Sequence, residues 1–316
     1  MTDHHREPSG RGVRAALPQL TDVLDPDAAV ERLGGDATWS EGPLYLPGER
    51  AVIWSDIPGN RILRWSWDTG LVDVYREGAE FTNGRTLDRE GRVVTCSHGR
   101  RAVERTEADG TTHVLVDRWR GVRLNSPNDV VVKSDGTIWF TDPPYGIVQP
   151  QEGYPGEREY GDHWVFRFDP ESGALDPVVL DIEEPNGLAF SPDESLLYVA
   201  DTSAALRATG GNHHIRVYDV ADGRRCKNGR VFAVVSPGLA DGFRVDVTGN
   251  VWTSSADSVQ VFAPDGARLG TVPVPEVVGN VCFGGPDGST LFIAATTGLY
   301  RVPTRTRGAG LYWLNP

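Results

Sequence analysis

Six similar stretches of this sequence each open on an oxygen-bearing side chain. They are Glu41 in EGPLYLPGERAVIWSD, Asn83 in NGRTLDREGRVVTCS, Asn128 in NDVVVKSDGTIWFTD, Asn186 in NGLAFSPDESLLYVAD, Asp241 in DGFRVDVTGNVWTSS and Asn280 in NVCFGGPDGSTLFIAA. All six are carboxylates or amides, with no imidazole or thiolate among them. Brought to one place, they would suit a hard divalent cation such as Ca²⁺, which takes about 6–8 oxygen ligands at roughly 2.3–2.6 Å. Glu41 and Asp241 would balance its charge, and without it two such acids would repel one another. A turn reading competes, because Asn-Gly and Asp-Gly are strong turn dipeptides. That reading is favoured for Asn83 and Asn280. It is weak for Glu41, so the metal reading centres on Glu41, Asn186 and Asp241.

The elements that must position these residues are written in the same repeats. The heads recur at spacings of 42, 45, 58, 55 and 39 residues. After each comes a short apolar strand, a turn rich in Gly, Asp or Pro, and a second strand at 52–54, 93–95, 138–140, 197–199, 251–253 or 291–293. Third strands follow, as at 61–65, 164–168 and 215–218, and weaker fourth strands, as at 113–116. Four antiparallel strands per roughly 40–50 residues make a propeller blade. The predicted fold is therefore all-β: a six-bladed β-propeller of four-stranded blades around a central channel, one domain over residues 26–316. First strands run beside the channel, so heads in one register form a ring near one mouth. A blade cannot bury both faces alone, which assigns Trp54, Trp139, Trp164 and Trp252 to blade packing. Either residues 30–33 or residues 311–314 could supply the outer strand of blade six. Residues 1–25 read as a mobile arm or an edge segment.

Two repeats carry insertions, residues 143–163 and 202–214. Both leave after a second strand, so both loops should rise on one side of the disc and rim a pocket. Tyr145 begins the longer one and is expected to line that pocket. His98 follows the second strand of blade two at the same end, as a substrate-bonding residue or a plain loop histidine. Asp142 and Asp201 close the second strands of blades three and four, where they either orient ligands and waters or form turns.

Bulk composition narrows the classes. Among 316 residues the formal net charge is −13, which argues against a nucleic-acid partner. Cys96, Cys226 and Cys282 have no CxxC spacing, so a disulfide framework is disfavoured. The N-terminus lacks an apolar secretion signal, and no run approaches 18 apolar residues. A soluble, cytoplasmic protein with no membrane partner is expected; the oligomeric state is left open.

With these motifs in hand, the chain resembles the SMP-30/gluconolactonase family, in its bacterial gluconolactonase branch. The matching stretches are WSEGP at 39–43, TCSHGRR at 95–101, RLNSPNDVVVKSDGTIWFTDPPYG at 123–146, PNGLAFSPD at 185–193 and ADG at 240–242. The resemblance runs over nearly the whole chain from about residue 25. It implies one divalent metal at the axis, usually Ca²⁺, with Zn²⁺, Mn²⁺ or Mg²⁺ accepted by some members. Glu41, Asn186 and Asp241 match ligand positions. Asn128 matches an asparagine that binds metal in some relatives and substrate or water in others. Ser126 stands where animal members carry a substrate-contacting Arg, so that contact does not carry over; Arg123 lies close by as a candidate in its place. The implied activity is hydrolysis of a small-molecule sugar lactone. The metal would polarise the carbonyl, and Asp241 is the candidate general base. The same ring would also serve a phosphotriesterase or fluorophosphatase. A propeller scaffold without catalysis and a metal-binding protein without turnover remain as further alternatives.

Overall fold

The structure is a computed structural model and describes residues 13–15, 17–311 and 314. Among the described residues, six antiparallel sheets are arranged as the blades of a propeller, five of four strands and one of four strands plus a short added edge strand, with a separate two-stranded hairpin between blades two and three. Blade one comprises Ser40–Leu46, Ala51–Asp56, Arg61–Ser66 and Val72–Glu77. Blades two to five follow at residues 82–116, 130–179, 185–234 and 243–273.

The ring is closed by the N-terminal segment. Glu31–Gly34 pairs antiparallel with Gly298–Pro303 of blade six, with Glu31 opposite Arg301. The C-terminal alternative is not used: Leu311 packs instead against the apolar cluster of blades five and six. The expected arm is docked over its described part. Arg14–Ala15 adds to the outer strand of blade five, and Leu20 and Leu24 are fully buried in that same apolar cluster. Burying two leucines contributes about 3–6 kcal/mol, enough to hold the segment down. Residues 1–12 and 16, and at the other end 312, 313, 315 and 316, lie outside the described residues.

Blade packing follows the period-2 alternation of the strands. Trp54 packs with Phe292 and Leu299 between blades six and one, Trp139 with Leu188 and Leu197 between three and four, and Trp252 with Val281 and Ile293 between five and six. Trp164 differs. It is half-buried and meets Trp119 of the hairpin at 5.1 Å and Tyr160 of the insertion at 4.9 Å, so it anchors loops as well as a blade.

At the axis the Asn-Gly pairs are bulges within first strands. Strand register shifts between Glu41 and Leu44, Thr82 and Arg85, and Pro185 and Leu188. A bulge re-aims side chains without ending the strand, which is why these dipeptides carry no chain reversal. The glycines after Asn83, Asn186 and Asp241 let neighbouring blades touch. Gly84 N donates to Asn128 O at 2.8 Å, Gly187 N to Asp241 O at 2.9 Å and Gly242 N to Gly279 O at 2.8 Å. A Cβ at Gly242 would lie 1.9 Å from Asn280 Cγ, so only glycine fits there. Blade three has Asp129 in this position, and Thr141 Oγ1 makes the contact to Asn186 O instead, at 2.7 Å.

Candidate active site

One mouth of the channel opens into a cavity of about 360 Å³ whose wall includes Glu41, Asn83, Asn128, Asn186 and Asp241. Five of the six heads therefore share one space. The sixth, Asn280, stands behind Glu41: its Nδ2 donates to Glu41 Oε2 at 3.2 Å, and its Oδ1 accepts Val281 N at 2.8 Å.

Glu41 is buried, and its Oε2 also accepts Gly42 N at 2.9 Å. Its Oε1 is buried without a hydrogen-bond partner among the described residues. Burial, and then the charge of Asp241, push its carboxyl well above the usual range. Asp241 keeps some exposure to the cavity, and its backbone N donates to Ser254 Oγ at 2.8 Å. Its carboxyl is pushed up to about 7, first by burial and then by the charge of Glu152; a hydrogen bond from Asn186 partly offsets this. Asn186 also donates through Nδ2 to Thr202 Oγ1 at 3.2 Å, which leaves its Oδ1 free to act as a donor atom. Asn128 is held by its backbone, N to Thr141 O at 2.9 Å, and its buried side chain lines the cavity.

These residues fit a hard cation. Two carboxylates and three amides face one space, and a buried, unpartnered carboxylate oxygen beside a second carboxylate is costly unless a positive charge joins them. Neither imidazole nor thiolate contributes, which disfavours a site built for soft metals.

Three buried aspartates brace the segments that lead into the heads. Asp56 Oδ1 accepts Thr38 N at 2.9 Å and Trp39 N at 3.3 Å, ahead of Glu41. Asp142 Oδ2 accepts Asn125 N at 2.8 Å, ahead of Asn128. Asp201 accepts Glu183 N at 3.1 Å and Glu184 N at 3.3 Å, ahead of Asn186. Each therefore receives amides two or three residues upstream of its head. Asp142 also accepts the Tyr160 hydroxyl at 2.7 Å, and burial pushes its carboxyl up to about 7. The sequence singled out Asp142 and Asp201 but passed over Asp56, although it ends the same second strand at the same offset.

The two insertions meet over the cavity. Tyr145 opens the first, lines the wall and shares a 2.6 Å hydrogen bond with Thr202 of the second. Glu152 of the first insertion also lines the wall. No sequence signal marked it, because an insertion has no repeat register to read. His98 is buried behind the wall, where its Nδ1–H donates to Glu152 O at 3.0 Å. Burial pulls its pKa down to about 4, so the ring is neutral near pH 7. Arg123 is not brought to the cavity. It lies in the two-stranded hairpin, where its guanidinium donates to Arg100 O at 3.0 Å. Ser126 ties down the start of the first insertion, donating to Pro143 O at 2.6 Å and accepting Gly146 N at 2.9 Å.

Residues 39–297, which include all six heads, match the SMP-30/Gluconolactonase/LRE-like region. A gluconolactonase of Zymomonas mobilis subsp. mobilis is 32% identical over 317 residues, covering 92% of this chain and 85% of its own. A pentonolactonase of Haloferax volcanii is 30% identical over 267 residues, covering 82% and 81%. Among solved structures, a gluconolactonase of Xanthomonas campestris superposes with a TM-score of 0.86 at 42% identity, over 93% of this chain and 95% of its own. With that match across the axial ring and its braces, the chain belongs to the SMP-30/gluconolactonase/LRE-like family.

Proposed function

We propose that the chain is a lactonase that opens a sugar lactone in the axial cavity, with one divalent cation held by Glu41, Asn186, Asp241 and Asn128. The observation that carries this reading is the buried, unpartnered Glu41 Oε1 beside the Asp241 carboxyl in a cavity large enough for a small ring. The gluconolactonase and pentonolactonase relatives supply the substrate class. Ca²⁺ suits an all-oxygen donor set of this looseness, with Mg²⁺, Mn²⁺ and Zn²⁺ as the alternatives to be compared. Bound there, such a cation polarises an ester carbonyl and stabilises the negative charge that develops on its oxygen.

The chain's own residues do the rest. Glu41 and Asp241 set the negative charge of the site, and the Asn186 amide is oriented by Thr202. Asn128, free in its side chain, reaches both the cation position and the space left for substrate. Asp241 takes the proton of the attacking water. Its exposure to the cavity places it to meet that water, and a bound cation would lower its carboxyl pKa and weaken it as a base, a cost an activated ester such as a lactone tolerates. The two insertions cover the cavity and restrict it to small substrates.

The test is a pH-stat assay over aldonolactones and simple γ- and δ-lactones, run after chelation and after adding back each divalent ion. Hydrolysis restored by a divalent ion is expected, and Asp241→Asn should lose both cation binding and turnover. No turnover on any lactone with any ion would sink the reading. So would an Asp241→Asn variant that keeps both.

A further inference from the structure

Every described tryptophan but one belongs to an apolar cluster of the blades: Trp54, Trp65 and Trp67 to one, Trp119 and Trp164 to another, Trp139 and Trp252 to two more. Trp39 belongs to none. It is half-buried and lines the axial cavity, two residues before Glu41. Its backbone is pinned: its N donates to Asp56 Oδ1 at 3.3 Å, and its O accepts Ile57 N at 3.2 Å. Its indole, by contrast, makes no hydrogen bond and no ring contact among the described residues.

The rest of the wall is divided in kind. The aliphatic residues Ile57, Leu239 and Val277 flank the axial strands of blades one, five and six, on the same arc of the ring as Trp39. Blades two and three supply the amides of Asn83 and Asn128. An indole outside the core forgoes the packing that the other tryptophans gain. What it offers instead is a broad, rigid face of negative π density, with only two rotatable bonds to order. A pyranose lactone is two-sided in the same way. A face of its ring presents C–H groups drawn electron-poor by their oxygens, and hydroxyls stand around its edge.

We infer that Trp39 is the residue that selects sugar lactones, its indole receiving the C–H face of the ring while hydroxyls turn to Asn83 and Asn128. This rests on the lactonase reading and names the feature of the substrate that the cavity recognises. Stacking leaves rotation about the ring normal free, so Trp39 fixes the plane of the lactone and the asparagines on the other arc fix its rotation within that plane. The place of Trp39 two residues before Glu41 sets the plane beside the acids of the ring. An aliphatic side chain there would still shed water against any lactone, but it lacks the π face to which oxygen-bearing C–H groups are drawn. Stacking of this kind holds ground state and transition state alike, so its loss shows in KM rather than in kcat.

The experiment uses the full chain with a saturating divalent ion and two substrates, a hexonic δ-lactone and unsubstituted δ-valerolactone. Wild type is assayed first. No turnover of either would remove the lactonase reading itself, before any variant is made; turnover of δ-valerolactone alone would keep a lactonase and overturn this inference. Given turnover of the sugar lactone, Trp39→Leu should raise its KM about tenfold while kcat stays within about threefold. The KM of that variant for δ-valerolactone, or the inhibition constant if that lactone is not turned over, should stay within about twofold of wild type, and so should cation affinity. Trp39→Phe, which keeps a smaller aromatic face, should recover most of the loss. A second readout needs no variant. An anhydrohexitol, a pyranose ring with no ester, should shift the tryptophan emission of wild type at concentrations that inhibit hydrolysis, because Trp39 is the one described tryptophan that lines the cavity. The inference is overturned if Trp39→Leu leaves the KM for the sugar lactone within twofold, if both lactones lose equally, if cation affinity falls in step, or if the emission does not move.

Discussion

The Tyr145 hydroxyl and Thr202 Oγ1, 57 residues apart in the chain, share a 2.6 Å hydrogen bond above the axial cavity. It joins the two insertions to each other and, through Thr202, to the Asn186 amide at 3.2 Å. The two insertions are thereby tied to the Asn186 side chain in the cavity wall.

The two ends of this bond should respond differently. Tyr145→Phe removes the bond between the insertions and a lesser contact with Asn186, and a loss of about 1 kcal/mol is expected. Thr202→Val also removes one acceptor of the Asn186 amide, which is then held less firmly, by Asp241. Calorimetric titration should show several-fold weaker cation binding for Thr202→Val and near-normal binding for Tyr145→Phe.

Proton and cation should compete for the ring. Asp241 is pushed up to about 7 and Glu41 is raised as well. Both must be deprotonated to hold a cation, so affinity should rise with pH and level off above the neutral range. Below it, affinity should fall about tenfold per pH unit for each proton displaced. Titration in buffers of different ionisation enthalpy would count the protons released.

Stability in chelator should run the opposite way. A carboxyl whose folded pKa lies above its unfolded value, about 4 for Asp and Glu, stabilises the fold at low pH. That contribution is lost as pH rises through the folded pKa. Besides the ring acids, burial raises Asp142 and Glu152 to about 7 and Glu184 to about 8, all in the same direction. The chelated protein should therefore melt at a lower temperature at pH 8 than at pH 5. A saturating cation should raise the melting temperature more at pH 8 than at pH 5.

Asp201 accepts four donors, from Glu183 N, Glu184 N, Ser203 N and Asn212 Nδ2 at 3.0–3.3 Å. Asp201→Ala strands all four. The loss should be about 2–4 kcal/mol in urea unfolding, given about 1–3 kcal/mol for each buried group left unpaired and some relief by water. Cation affinity should fall with it, because Asn186 follows two residues after Glu184. Asp201→Asn, which keeps an acceptor, should lose less of both.

The glycines of the axial ring should not tolerate a methyl group. At Gly84 a Cβ would lie 2.4 Å from Asp129 Oδ1 and 2.6 Å from Asn128 O. Gly84→Ala must push two blades apart, and a loss of about 1–3 kcal/mol or more is expected, along with weaker cation binding through Asn128. Gly48, with nothing within 4 Å of a Cβ, is the control, and Gly48→Ala should unfold like wild type.

The sequence by itself determined the number of blades, the register of the heads, the positions of the two insertions and the oxygen-bearing side chains that line the axial cavity. This was possible because each blade is a run of local hairpins whose side chains alternate with period two, so one register repeats six times and carries Glu41, Asn128, Asn186 and Asp241 to the same height. Turn chemistry misled at one point: Asn83-Gly is a bulge in a first strand and brings Asn83 to the cavity wall. What only the tertiary structure decided lies outside that register. Glu152 and His98 are 54 residues apart, and they meet because a buried imidazole needs an acceptor that the insertion supplies. Arg123 sits close to Asn128 in the chain yet turns away into a hairpin. The closing strand came from residues 31–34 because its pairing partner, Gly298–Pro303, is almost a whole chain length away. Periodicity records local strand geometry. Closing a ring and roofing its mouth depend on contacts between distant segments, and no local pattern encodes them.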